Sequence, residues 1–476
     1  MERNRYDNPL VERYASPEMA RLFSPDHKFR TWRRLWIALA EAERALGLPV
    51  TAEQIAELKR HAEDVNYEDA DALERKLRHD VMAHIRAYGL QCPAAKGIIH
   101  LGATSAYVVD NTDLIVLREA LELIRSRLLN AADALARFAR AHRDLPTVAY
   151  THFQPAQITT VGRRACLWLH ELLLDLDHLE HHLGRLRFLG AKGAVGTQAG
   201  FLALFKGDDR KVRELDRRVA RRMGFRGTYI VSGQTYSRKV DAFALGVLGG
   251  IAQSAHKYSC DMRLLQHLRQ VEEPFGEEQV GSSAMPYKRN PMLAERMASL
   301  ARHVIALGPA AQMTSALQWF ERTLDDSAGK RIAVPEAFLA TDAVLLLYAN
   351  IARGCAVNPK IVAAHVAEEL PFILTENLLM EGVKRGGDRQ VLHERIRRHA
   401  MEASARKKEG LPNDLLARLR RDPAFRFAGR SWKRLLDPGA YVGRAPSQVD
   451  EFLSKEASPR LKRYRKFLGM KAEVRV

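Results

Sequence analysis

Three long apolar seams constrain this chain more than any other feature. From Leu114 onward, apolar residues recur at Leu117, Leu121, Ile124, Leu128, Ala131, Leu135 and Phe138, alternately three and four apart. This is the spacing of a stripe along one face of an α-helix. A second seam runs Ala165, Leu169, Leu172, Leu176, Leu179, Leu183, Leu186, and a third runs Leu293, Met297, Leu300, Val304, Leu307. The polar triplet Asp110-Asn111-Thr112 reads as a capping cluster ahead of the first seam, and Gly308-Pro309 as an interruption of the third. Residues 240–270 and 335–357 predict two more helices of the same character. At 1.5 Å per residue such helices reach about 30–45 Å, more than the thickness of a small domain. They must bundle, and seams this long often bundle between subunits. Only Thr228-Tyr229-Ile230-Val231 looks extended, and no strands alternate with helices. The expected fold class is all-α.

The 476 residues allow two or three domains. A smaller helical domain is expected over 1–104, where a periodic run from Thr31 to Leu46 is followed by turns at Gly47-Leu48-Pro49 and Gly89. The long seams occupy 105–357. Over 358–476 the pattern shortens and grows more basic, with turns at Gly386-Gly387-Asp388 and Asp437-Pro438-Gly439, which predicts a third helical domain. Cys92, Cys166, Cys260 and Cys355 are scattered without a CxxC pair. Neither a disulfide framework nor a zinc site is suggested, and a reducing, cytoplasmic compartment is expected. The N-terminus shows no apolar signal core. Phe338–Val357 is the most apolar stretch, but Asp342, Asn350 and Arg353 within it argue for a buried helix and against a membrane span. A formal charge of +18 admits a nucleic acid, a polyanionic small substrate or merely a basic surface. The cations are spread, denser at Arg217–Arg222, Arg395–Arg398 and Lys462–Lys466, with no zinc-finger spacing, basic zipper or aromatic RNA-binding motif. A solvated basic face explains most of the excess, and no specific nucleic-acid partner is expected.

Three segments interrupt the helical pattern with reactive side chains. They are Ile98–Ser105, which holds His100, Thr104 and Ser105; Thr151–Gln157, which holds His152; and Gly281–Glu295, which runs into the third seam. All three read as helix boundaries. The last combines a glycine, two hydroxyls, prolines, Lys288, Arg289 and Asn290, and suits a mobile lid that closes on an anion. Each also has a plainer reading. Ser282 and Ser283 could merely cap a helix, His152 could be a satisfied loop histidine, and His79 and His84 could be solvated on a charged helix. No metal or organic cofactor is implied: the sequence lacks HExxH and a glycine-rich loop after a strand.

Together these segments resemble the signature of the fumarase/aspartase superfamily. The wider context is similar to the adenylosuccinate lyase family in its animal-type form, through Arg78-His79-Asp80-Val81-Met82-Ala83-His84, Thr151-His152, Ser232-Gly233-Gln234-Thr235-Tyr236 and Trp319–Ser327. The resemblance covers the chain from Arg13 to Pro446. It implies a three-domain helical fold and β-elimination of fumarate from adenylosuccinate and from the succinyl-carboxamide ribotide of purine synthesis. It also implies a homotetramer whose active sites are shared between subunits. Such an elimination needs a base, an acid and a carboxylate clamp. The resemblance makes Ser282 the base, with Ser283 in reserve, while Lys288 and backbone amides steady its alkoxide and Asn290 bonds the carboxylate whose charge grows. It makes His152 the acid on the leaving nitrogen and His79 a support for substrate charge. Glu295 would hold a histidine tautomer, though a surface ion pair is equally natural for it. Arg13, Tyr14, Arg322, Ser327 and Arg331 are implied at the phosphate and ribose, and Arg78, Thr104, Ser105, Gln234 and Arg296, with Asp80 beside them, at the succinyl carboxylates or the base. Two rivals stand. Another fumarate-releasing enzyme such as argininosuccinate lyase would share the lid but not the Arg322–Arg331 segment. A structural homologue without activity would not need the intact base, acid and lid lysine.

Overall fold

The computed structural model describes residues 4, 6–470 and 474, and the fold is all-α with two small two-stranded sheets. Helix α1 (Pro25–Ala45) starts on a Ser24 cap with proline in its first turn. Its buried face carries Trp32, Leu35, Trp36 and Leu39. Helix α2 (Asp80–Gln91) is capped by the imidazole of His79, whose Nδ1 accepts from Met82 N at 3.3 Å. Helix α3 (Ala106–Ala141) carries the first seam. It begins before the triplet expected to cap it, so Asp110, Asn111 and Thr112 lie inside the helix and are buried. For Asp110 and Asn111 burial is tolerated because partners replace water: Asp110 meets Arg238 at 2.7 Å, and Asn111 Nδ2 donates to Tyr107 O and Gly190 O.

After α3 the chain forms a hairpin that the helical pattern concealed. Strand β1 (Pro146–Thr151) pairs antiparallel with β2 (Gln154–Thr160) through a two-residue turn. At that turn His152 and Phe153 take φ of 52° and 56°, the positive-φ pair that a tight hairpin turn demands. Helix α4 (Val161–Arg185) follows on a Thr160 cap and carries the second seam. The run Thr228–Val231 is not a strand. Among the described residues Thr228 makes an isolated bridge to Phe188, while Ile230 and Val231 are exposed, so pairing does not extend along the run.

Helices α5 (Lys239–His267), α6 (Met292–Ala316) and α7 (Asp326–Gly354) complete the bundle with α3 and α4. Helix α6 runs straight through Gly308-Pro309. The carbonyl orphaned by the proline is that of Ile305, an exposed residue, where water can satisfy it. Helix α7 starts at Asp326, earlier than the expected 335, and tolerates Pro335 within it. Among the described residues it is the one helix long and apolar enough to cross a membrane, and 78% of its apolar window is buried inside the fold. Its Asp342 accepts from Arg127 Nε at 3.1 Å and from Ser16 N at 2.7 Å, as a core helix requires.

Helices α8 (Pro359–Lys384) and α9 (Arg389–Lys408), with the short helical segments that follow them, build a second core from Leu374, Leu378, Leu392, Ile396, Leu415 and Phe425. The later residues Val449, Leu453 and Leu461 return to the main core.

The bundle has two distinct ends. At one, the start of α5 is tied to the starts of α3 and α7, since Arg238 pairs with Asp110 and with Asp326 at 2.5 Å. At the other lie the end of α5, the start of α6 and the end of α7, joined by the pairs Val271↔Val357 and Glu272↔Ala356. The 29 residues of α5 separate these ends by about 40 Å.

Candidate active site

The candidate residues divide between the two ends. At the Arg238 end, Ser105 precedes α3 and its Oγ lies 3.5 Å from His79 Nε2, with Thr104 beside it. Arg78 precedes His79 in the left-handed conformation, φ 53°, which turns the chain into α2. Asp80 is 3.8 Å from Arg331 and 3.9 Å from His79 Nδ1. Gln234 is locked by its backbone, N to Glu321 O at 2.9 Å, and by its side chain, Nε2 to Ala194 O at 2.9 Å. A side chain on the adjacent Gly233 would strike Glu321 O at 2.4 Å, so this close approach requires glycine.

Arg322, Ser327 and Arg331 line one cavity of about 200 Å³ at this end. Its apolar wall includes Leu22, Phe23, Val109 and Val334, and its polar groups include Lys28, Asp113, Tyr236, Arg238, Asp241, Asp326 and Lys330. Arg322 Nη1 holds Asp326 at 3.0 Å, and Lys330 Nζ holds Asp113 at 2.5 Å. Burial pushes the Asp326 carboxyl up, but the Arg238 and Arg322 guanidiniums outweigh it and keep it below the usual carboxylate range. Burial alone would lower the Lys330 ammonium, yet Asp113 outweighs it and raises it above the usual value. An apolar wall with a few fixed charges is the make-up of a small-molecule site.

His100, in the same segment as Thr104 and Ser105, takes the plainer reading. Burial pushes its imidazole down to about 4, and neutral Nδ1 accepts from Trp36 Nε1 at 2.9 Å. His84 is also structural, stacked 3.8 Å from Phe29 and pushed down to about 4 by burial.

At the opposite end, the lid crosses between α5 and α6. Its base is built: Asn290 Nδ2 donates to Gly281 O at 2.8 Å, Gln266 Nε2 donates to Arg289 O at 3.0 Å, and Glu273 accepts from the first amides of α6, Leu293 N and Ala294 N. Ser283, Lys288 and Arg289 are exposed on its outer part. Ser282 Oγ accepts from Met285 N at 3.1 Å and from Ala284 N at 3.4 Å. Those amides favour a negative oxygen there, which a serine base needs. Glu295 is exposed in the first turn of α6, where a carboxylate suits the helix dipole, and it pairs with no histidine among the described residues. Arg296 lies 5.8 Å from the Tyr14 ring, which brings Tyr14 and its neighbour Arg13 to the lid side and away from Arg322, Ser327 and Arg331.

His152 lies away from the Arg238 end, at the exposed tip of the hairpin that follows the end of α3, its side chain making no hydrogen bond or ion pair among the described residues. The hairpin packs on α8 through Val148, Ile158 and Val366. One chain therefore presents an acid, a base and an anion-binding cavity without bringing them together. Lys28 is a cavity residue that the motifs did not reveal. Its signal was a lysine on the apolar stripe of α1, one turn before Trp32.

A bundle of long helices with reactive loops at both ends is the fold of the fumarate lyase superfamily. The chain superposes on a 3-carboxy-cis,cis-muconate lactonizing enzyme from Pseudomonas putida with a TM-score of 0.83 and 25% identity, covering 96% of this chain and 100% of that one. On a fumarate lyase from Mesorhizobium sp. the TM-score is 0.80 at 24% identity, over 93% and 99% of the two chains. The family described as Lyase matches residues 15–306, and Adenylosuccinate lyase C-terminus matches residues 371–452. Adenylosuccinate lyases from Saccharomyces cerevisiae and Schistosoma mansoni are 49% and 46% identical, covering 98% and 99% of this chain and 97% and 99% of theirs. The chain belongs to the adenylosuccinate lyase family, and it is a lyase.

Proposed function

We propose that this chain releases fumarate from adenylosuccinate, giving AMP, and from the succinyl-aminoimidazole carboxamide ribotide of purine biosynthesis. Family membership gives the reaction class, and the observation that carries the chemistry is the environment of Ser282. Its Oγ already receives two backbone amides, so the alkoxide that removes the proton beside the substrate carboxylate has donors in place. Lys288 and Asn290 steady the carboxylate as the carbanion forms, the C–N bond breaks, and His152 delivers a proton to the departing nitrogen. The cavity of Arg322, Ser327 and Arg331 takes the phosphate and ribose, and His79 with Ser105 lies against the succinyl end. No step in this scheme requires a cofactor.

The assembly is a homotetramer with shared sites. Two observations support it: the candidate groups lie at opposite ends of a helix bundle about 40 Å long, and the bundle helices leave Leu167, Leu174, Phe243, Met313 and Leu317 exposed, apolar surface that a partner helix would cover. Antiparallel packing of such bundles carries the lid of one chain to the cavity of another. A cytoplasmic location belongs to the same reading, supported by four unpaired thiols.

The test is an ultraviolet assay of the purified protein with adenylosuccinate and, in parallel, argininosuccinate, following fumarate. Cleavage of adenylosuccinate alone is expected. Cleavage of argininosuccinate, or of neither, contradicts the proposal.

A further inference from the structure

Not every cation that lines the cavity at the Arg238 end has a carboxylate close to it. Arg238 is matched by Asp110 and Asp326, Arg322 by Asp326, and Lys330 by Asp113. Two lining cations remain. Arg331 has no carboxylate nearer than Asp80 at 3.8 Å. Lys28 makes no ion pair or side-chain hydrogen bond among the described residues. Its Nζ sits 4.9 Å from the ring centres of both Phe29 and Trp32, at a half-buried position. The aromatic rings give it partial compensation, but an ammonium against an apolar wall and beside a guanidinium is costly unless an anion arrives.

We infer that Lys28 is a substrate-binding residue that, together with Arg331, holds the phosphate monoester of the nucleotide. This rests on the proposed function and extends it to a residue that the family resemblance did not supply. Lys28 arrives from the first turn of α1, on a different element from Arg322, Ser327 and Arg331, so the phosphate is gripped from two sides of the cavity. A point-charge ammonium and a planar guanidinium are complementary for this task, since the guanidinium orients the oxygens and the ammonium follows them. Burial lowers the Lys28 ammonium, with Asp80 opposing that shift and Arg331 adding to it, which agrees with a site completed by an incoming anion.

The experiment compares Lys28→Met and Lys28→Arg with the unaltered enzyme. It measures kcat and KM for adenylosuccinate, and the inhibition constants of AMP, which carries the phosphate but no carboxylate, and of fumarate, which carries carboxylates but no phosphate. Lys28→Met should raise KM and the AMP inhibition constant by roughly tenfold or more, the effect of one charge-assisted contact. The fumarate constant should stay put, kcat should fall far less than KM rises, and Lys28→Arg should recover most of the loss. An unchanged AMP constant in Lys28→Met overturns the inference, as does a rise for fumarate without one for AMP. Calorimetric titration of AMP into each protein measures the same contact without turnover. If the unaltered enzyme binds AMP but cleaves nothing, the proposed function fails, while a weakened AMP site in Lys28→Met still upholds the phosphate contact. If Lys28→Met does not fold, unchanged AMP binding by Lys28→Gln overturns the inference equally.

Discussion

Ser282 shows how little of a residue's chemistry lies in its own side chain. A free serine hydroxyl is far too weak an acid to lose its proton near neutral pH, and what distinguishes this one is a pair of amides aimed at its oxygen. Ser282→Ala should therefore lower kcat by roughly 10²–10⁴-fold, the range for a lost acid–base group, while AMP binding is retained. A stopped assay and a binding titration check the two halves. Glu43 makes the complementary case in the core. It is fully buried, neither carboxyl oxygen has a hydrogen-bond partner among the described residues, and burial pushes it up to about 8. Burial also pushes the nearby Tyr107 hydroxyl up, with Glu43 and Asp216 adding to the shift. The folded protein keeps a proton that the unfolded chain, with an ordinary carboxylate near 4.5, releases. Stability should then decline as pH rises from the ordinary value towards about 8, at about 1.4 kcal/mol per pH unit. Glu43→Gln should lack that slope, so denaturation midpoints of the two proteins should diverge between mildly acidic and mildly alkaline buffer. Parallel curves would exclude a titrating Glu43.

At the scale of elements, the seams made the long helices readable, because an apolar stripe at helical spacing has few other uses. The failures were local. Asp110-Asn111-Thr112 has the composition of a cap, and partners distant in sequence, Arg238 for Asp110 and Gly190 for Asn111, make it an interior segment. Pro309 has the composition of a break, but exposure of its orphaned carbonyl lets α6 continue. The hairpin was hidden because its β-branched residues, Thr147, Val148, Ile158 and Thr159, lie in strands too short to outweigh the helices around them. That hairpin matters because it carries His152 on a turn of fixed geometry. The lid was legible as a composition, and its hinge is visible only in three dimensions. A Cβ on Gly281 would meet Lys288 O at 2.1 Å. Gly281→Ala should open the loop base and reduce kcat by about tenfold or more through mispositioning. Thermal stability should barely change, since most of the lid is exposed. A large fall in melting temperature at unchanged kcat would refute this.

For the whole molecule, the site residues could be named from their motifs, but not the chain that each would serve. Arg13 and Tyr14 were grouped with Arg322, Ser327 and Arg331, yet Tyr14 lies against Arg296 near the lid. No spacing rule could have separated them, because the division follows from the length of α5 and its neighbours. The same division makes a functional monomer impossible if the proposed roles hold, and it gives the exposed apolar residues of α4, α5 and α6 a purpose. The most direct measurement mixes two inactive variants, His79→Ala from one end of the bundle and Ser282→Ala from the other, by unfolding and refolding them together. Shared sites predict that fumarate release from adenylosuccinate returns to about a quarter of the unaltered rate, as random hybrids give each position an even chance of being intact. If the hybrids remain as inactive as their parents while mixtures containing unaltered chains refold to activity, the account of a site assembled across subunits is wrong.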